Sequence, residues 1–319
     1  MSSTADRDKA TSSPRVVSLI ASATEILHEL GGGPLQVARS HECDWPGSVL
    51  DLPQLTRPKF KVAGSSRAID VAVKSLVEQG LAVYEVDADQ MKRIAPDVIL
   101  TQDQCEVCAV SLADVERAVA TWTECRANVV SLRPHTMADI YTDNQRIADA
   151  LGIPDAGADL NARMQSRLAA LAERSAPLPK PRLAFIEWID PPMSGGHWMP
   201  ELIATAGGID LLGKHGEVSP WISVADVAAA DPDVVLVGPC GYDLEKTREE
   251  MAALDANPEW LQLRAVRDGR VYIADGNAFF NRPGPRLVES AEIIFEVLHP
   301  DEPGYGHLGT AVVKHTAGV

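Results

Sequence analysis

Five cysteines, Cys43, Cys105, Cys108, Cys125 and Cys240, carry the first chemical possibilities of this chain. Cys105 and Cys108 are spaced as CxxC, which lets two thiolates reach one tetrahedral ion at about 2.3 Å or close as a redox pair. Adding Cys43 and Cys240 gives a four-thiolate set suited to zinc or an iron–sulfur cluster, in which His41 can replace one thiolate. The plainer reading of each thiol is a small residue packed near a strand end. Packing is the expectation for Cys125, which falls on a helix-to-strand connection. An odd number of cysteines in a chain long enough to build its own core implies reduced thiols.

A second group suits the capture of a flat ligand. Trp45, Trp188, Trp198 and Trp221 can cover a broad apolar face at small entropic cost. Glu187 closes an apolar run, where a carboxylate needs a donor or a cation. Arg282 and Arg286 flank a Pro-Gly-Pro turn and can clamp a carboxylate or phosphate, although Arg286 can equally serve the helix that follows. His41 offers a neutral imidazole to a metal, and Gln102 ends another apolar run. The sequence holds no phosphate-binding glycine loop, no HExxH and no convincing Ser–His–acid set, so nothing in it points to catalysis.

Positioning these residues is the work of alternating strands and helices. Apolar, β-branched runs occur at 15–20, 36–39, 82–86, 98–102, 128–132, 182–188, 234–238 and 271–274. Helical patterns at 69–79, 112–123 and 286–298 lie among them, which is the signature of parallel βα units. Ser22 and Glu25 read as a capping box. Residues 137–176 turn helical with a break at 152–154, and the proline-rich stretch 177–181 ends them. The two halves echo each other: Ala95-Pro-Asp-Val-Ile-Leu100 matches Asp231-Pro-Asp-Val-Val-Leu236, and Arg15 and Arg182 each open a strand. The expected fold is α/β, two Rossmann-like lobes with parallel sheets joined by a long backbone helix. Its expected boundaries are a leader at 1–14, lobes at 15–135 and 181–300, a linking helical segment at 136–180 and a tail at 301–319. Ligands of open parallel sheets bind beyond the strands' carboxyl ends. That places His41, Cys43, Trp45, Cys105, Cys108, His197, Trp198 and Cys240 on one inter-lobe cleft.

Of the 319 residues 45% are hydrophobic, enough for two cores, and the net charge of −16 argues against nucleic-acid binding. No window reaches the roughly 18–20 apolar residues of a membrane span. Residues 1–14 are polar, with neither an apolar secretion segment nor a lipid-anchor cysteine, so a cytoplasmic protein is expected.

The residues Arg15-Val-Val-Ser-Leu19, Ser22-Ala-Thr-Glu-Ile-Leu27, both Pro-Asp-Val segments, Glu201-Leu-Ile203 with Ala206-Gly-Gly208, and Gly269-Arg-Val-Tyr272 resemble the cobalamin-type substrate-binding proteins of ABC importers, the helical-backbone metal receptors. The resemblance covers residues 15–300. It is nearest to a branch labelled cobalamin-binding, on His41-Glu-Cys-Asp-Trp-Pro46, Thr101-Gln102, Cys105-Glu-Val-Cys108, Glu187-Trp188, Pro239-Cys-Gly241 and Asn281-Arg-Pro-Gly-Pro-Arg286. It implies a binding protein for a corrinoid or related metal chelate, with His41, Trp45, Gln102, Glu187, Trp188, Trp198 and Arg282 as ligand contacts and an ABC permease as possible partner. Two other readings stay open: a metalloprotein or enzyme built on Cys43, Cys105, Cys108 and Cys240, and a conventional importer component with an unrecognised leader.

Overall fold

The computed structural model describes residues 13–59, 64–78, 83–102 and 127–316. The expected helix at 112–123 and the residues Cys105, Cys108 and Cys125 lie outside them. The chain divides into two compact units, one drawn from residues 1–61, 76–133 and 143–160, the other from residues 62–75, 134–142 and 161–319.

The first unit is built on a four-stranded sheet of β1 (Val16–Ser18), β2 (Gln36–Arg39), β5 (Val98–Gln102) and β6 (Asn128–Leu132), in the order β2-β1-β5-β6. All three pairings are parallel. Val16, Val17, Ile99 and Leu100 are fully buried, which is why these strands read as unbroken apolar runs rather than alternating ones. Its helices include α1 (Ala21–Glu29), most of α2 (Ser66–Glu78) lying elsewhere, and α3 (Ala88–Ile94). A two-stranded antiparallel pair, β3 (Thr56–Pro58) with β4 (Tyr84–Val86), stands beside the main sheet. The capping box expected of Ser22 and Glu25 is absent. Helix α1 begins one residue earlier, with Ile20 as its N-cap and no side-chain cap, and both Ser22 and Glu25 are buried inside it. The Ser18 hydroxyl donates to the Ile20 carbonyl at 3.0 Å, which leaves the first amides of α1 without a side-chain cap.

The helical stretch at 137–176 is two helices, α4 (Met137–Ala150) and the 22-residue α5 (Pro154–Ser175), separated at Gly152, which adopts φ +74°, a left-handed conformation that ends a helix without steric cost only at glycine.

The second unit carries a six-stranded sheet: β12 (Val312–His315), β11 (Val271–Ala274), β10 (Val234–Val237), β7 (Arg182–Trp188) and β8 (Met193–Ser194) in that order, with β9 (Ile209–Asp210) also on β7. Residues β7, β10 and β11 form the parallel centre, while the C-terminal tail returns as β12, antiparallel to β11. Around them lie α6 (Met199–Thr205), α7 (Val224–Ala230), α8 (Leu244–Glu250) and α9 (Leu287–Leu298). All four residues of β10 are completely buried. Helix α9 is buried along its whole length despite carrying Glu292 and Glu296. Arg167 and His307 bind the first carboxylate, and the amides of Gly306, His307 and Leu308 donate to the second.

The internal echo is a structural repeat. In the first unit the Arg15 amide donates to Asp97 at 2.9 Å and its guanidinium to the Ile94 carbonyl at the end of α3 at 3.0 Å. In the second the Arg182 amide donates to Asp233 at 2.7 Å and its guanidinium to the Ala230 carbonyl at the end of α7 at 2.7 Å. Ala95 and Asp231, which end those helices, share left-handed φ values of 49° and 43°. Each unit thus ties the start of its first strand to the same turn.

Candidate functional site

In the first unit, β2 leads into the loop 40–46. The Arg39 guanidinium braces that loop by donating to the carbonyls of Ser40 at 3.0 Å and Cys43 at 3.3 Å. Thr56 Oγ1 accepts the His41 amide at 3.0 Å and lies 2.7 Å from His41 Nδ1. The Thr56 and Ser40 hydroxyls are themselves 3.1 Å apart, so the imidazole is anchored through Nδ1 to a hydroxyl pair that can donate to it or accept from it. The ring tilts against Tyr84 at 4.9 Å, whose hydroxyl donates to Glu42 at 3.0 Å. Burial first, and the Arg39 charge second, lower the His41 pKa to about 4. At neutral pH it is an uncharged imidazole.

Cys43 lies two residues on and does something else. It is wholly buried, and its sulfur accepts the Thr24 hydroxyl at 3.0 Å. Trp45 is half-buried, and Gln102 is buried at the last position of β5. Cys105 and Cys108 lie outside the described residues.

In the second unit the ends of β7 and β10 bring Glu187, Trp188 and Cys240 together. The Cys240 amide donates to the Glu187 carbonyl at 3.1 Å, and Ser219 donates to the Glu187 carboxylate at 2.8 Å. Trp188 packs against Tyr242 with ring centroids 5.1 Å apart. Its indole Nε1 is buried without an acceptor among the described residues, the condition in which a polar group costs most. Burial also pushes the Tyr242 phenol up from its ordinary value. Beside this pair the turn 276–282 is drawn tightly onto the sheet: Asn281 donates to the carbonyls of Gly238 at 3.1 Å and Gly276 at 3.0 Å. A Cβ at Gly276 would sit 2.1 Å from the Pro239 carbonyl oxygen, so only glycine permits this approach. Arg282 is nearly buried and donates to Asn277 at 2.9 Å.

Trp198 belongs to the framework of this surface. It is 6% exposed, and its indole donates to the Phe280 carbonyl at 2.8 Å, holding the turn that carries Arg282. Trp221 is exposed, with the Lys74 ammonium 4.4 Å from its ring centroid. Arg286 stands at the N-cap of α9 with its guanidinium over Phe279 at 4.6 Å. Tyr242 and His135 were not singled out in the sequence, yet both follow a strand's carboxyl end, the signal that selected the others. Among the described residues, which include Cys43 and Cys240 but not Cys105 or Cys108, no three His, Cys, Asp or Glu side chains gather as a metal set.

The chain matches the family model described as periplasmic binding protein over residues 16–278. A vitamin B12-binding protein of Vibrio cholerae is 20% identical over 288 residues, 89% of this chain and 88% of the relative. An uncharacterized ABC transporter substrate-binding lipoprotein of Bacillus subtilis is 22% identical over 296 residues, 90% of this chain and 80% of its own length. Among solved structures, a periplasmic heme-binding protein of Pseudomonas aeruginosa superposes with a TM-score of 0.70 at 20% identity, over 95% of this chain and 98% of the other. The periplasmic vitamin B12-binding protein of V. cholerae gives 0.63 at 19% identity, over 90% and 97%. These matches bear out the α/β fold of paired Rossmann-like lobes and overturn the cytoplasmic address expected from the polar N-terminus: the matching family and the solved structures are of periplasmic proteins.

Proposed function

The chain belongs to the periplasmic binding protein family, and on that premise we propose that it captures a corrinoid of the cobalamin type for an ABC permease. The observation that carries this reading is the surface at the ends of β7 and β10. There an aromatic pair, Trp188 and Tyr242, stands beside a hydrogen-bonded carboxylate, Glu187, with the Trp188 indole N–H lacking an acceptor among the described residues. A corrin presents a broad apolar face to cover such rings, and its peripheral amide carbonyls supply acceptors for a buried donor. The vitamin B12-binding relative supports the same ligand class.

The remaining contacts follow from the chemistry of each side chain. His41 is neutral, the form an imidazole must take to ligate a metal. Trp45 adds apolar area, Gln102 a neutral donor and acceptor, and Arg282 a guanidinium for a peripheral carboxylate or phosphate. Arg282 also suits a tetrapyrrole with carboxylate side chains, which makes heme the competing ligand.

Calorimetric titration with cobalamin, alongside an absorbance titration with hemin, decides between them. Saturable cobalamin binding that weakens roughly fivefold to tenfold in Trp188→Phe, the worth of one hydrogen bond of about 1 kcal/mol, is the expected result. Saturable hemin binding with no cobalamin binding overturns the corrinoid reading, and binding of neither overturns both.

A further inference from the structure

Two histidines remain outside these contacts. His135 follows β6 and His197 follows β8, and both are counted in the second unit. Their Nδ1 atoms share a hydrogen bond at 3.2 Å, with ring centroids at 5.2 Å, so a cation that takes both nitrogens displaces the proton between them. Nitrogens at that spacing, each about 2.0–2.1 Å from a single ion, subtend an angle of roughly 100° at the metal. That is the angle of a tetrahedral pair or of neighbouring positions in an octahedron. Both rings are partly exposed, so an ion can reach them and keep water on its other positions.

The pair is held in place from the backbone. His197 adopts φ +52°, a left-handed conformation that costs a non-glycine residue of order 1 kcal/mol or more and persists only where surroundings impose it. They do so on both sides: the His197 amide donates to the Glu217 carbonyl at 2.6 Å, and the Gly216 amide to the His197 carbonyl at 2.9 Å. The ring is stacked on Trp198 at 5.6 Å. Across from it, the His135 amide donates to Asp139 at 3.0 Å, and Thr136 donates to the same carboxylate oxygen through its amide and its hydroxyl, both at 2.9 Å. Imidazoles fixed through their supports are what a metal site requires.

We propose that His135 and His197 form a two-imidazole site for a late first-row divalent cation, of the copper, nickel or zinc class that imidazole favours. A bound ion joins the loop leading into α4 to the loop leading into Trp198, and so stiffens the support of the Phe280 turn.

The test is calorimetric titration of the full chain with nickel chloride and with copper chloride, repeated on His135→Gln and His197→Asn. Asparagine tolerates the left-handed backbone at 197, so that variant keeps the loop. One equivalent of metal, weakened at least about 100-fold by either substitution, is expected, since even the outer partners of a metal ligand are worth 10–100-fold. Electron paramagnetic resonance of the wild-type copper complex reads the ligands without any variant, and two imidazole nitrogens are expected. No saturable binding, binding unchanged in both variants, or a spectrum without imidazole nitrogens overturns the proposal.

Discussion

Trp198→Phe tests whether the framework behind the aromatic surface holds it in place. The indole is 6% exposed, and its donation to the Phe280 carbonyl at 2.8 Å fixes a residue that itself sits at φ +68°. Phenylalanine fills most of the space but removes the donor. Leaving that carbonyl unpaired costs about 1–3 kcal/mol, and the void left by the lost ring adds of order 1 kcal/mol. At about 2–4 °C per kcal/mol for a unit of this size, the expected drop in Tm is roughly 5–15 °C, read by calorimetry on the full chain. Arg282 lies two residues beyond Phe280, so ligand affinity falls as well. Trp221→Phe is the control: its ring is exposed and meets only Lys74 among the contacts above, and the change stays within about 0.5 kcal/mol. A Trp198→Phe protein that melts with the wild type refutes the reasoning, because it shows that the Phe280 carbonyl finds another donor at no cost.

Three further outcomes follow from the same geometry. Folding lowers the His41 pKa from 6.5 to about 4, so the unfolded chain takes up a proton that the native one refuses. Stability therefore falls as pH drops from about 6.5 to about 4, by about 1–3 kcal/mol, and urea unfolding across that range should lose this slope in His41→Asn. Glu292 moves in another window. Burial raises its pKa, but His307 and Arg167 outweigh burial and the net shift is downward, so its contribution is present above the unfolded value near 4.3 and disappears as pH falls through the lower folded value; Glu292→Gln should flatten the acid arm of a pH–Tm curve. Asp97→Ala and Asp233→Ala each orphan the amide of a strand-opening arginine, at about 1 kcal/mol each. Asp233 should cost more, because Arg264 also pairs with it at 2.7 Å; equal urea midpoints for the two variants would show that this pair contributes nothing.

The architecture was legible where one physical signal dominates. Central parallel strands are buried on both faces, so β5, β7 and β11 appear in the sequence at their observed limits as runs of apolar residues. The repeat of Pro-Asp after a short helix marked a real device, because an aspartate that accepts the amide of a distant arginine has to sit at one place in the turn. The outer strands of the second sheet left no comparable trace. β8 and β9 are two residues long, and β12 lies in a polar tail recognisable only from its pairing with β11. Capping was ambiguous for a similar reason. Ser22 with Glu25 and Ser223 with Asp226 share one spacing, but only the second is a capping box. The first serine is buried inside α1, because the helix begins at Ala21, one residue before it.

At the candidate site the strand-end rule selects loops but does not say which of their side chains leave the core. That choice is made by partners remote in sequence. Cys43 turns inward because Thr24, 19 residues earlier, offers a hydroxyl to its sulfur, whereas His41, in the same loop, stays half-buried against Thr56 and Tyr84. Trp198 is drawn inward by a carbonyl 82 residues away, while Trp188, at the end of a strand with the same apolar approach, meets no acceptor among the described residues. The same rule reaches His135 once β6 is recognised as a strand, yet its significance depends on His197, 62 residues further on. Residue type and local spacing therefore identify which loops can bind, and the long-range hydrogen bonds divide their side chains into those that build the surface and those left to meet a ligand.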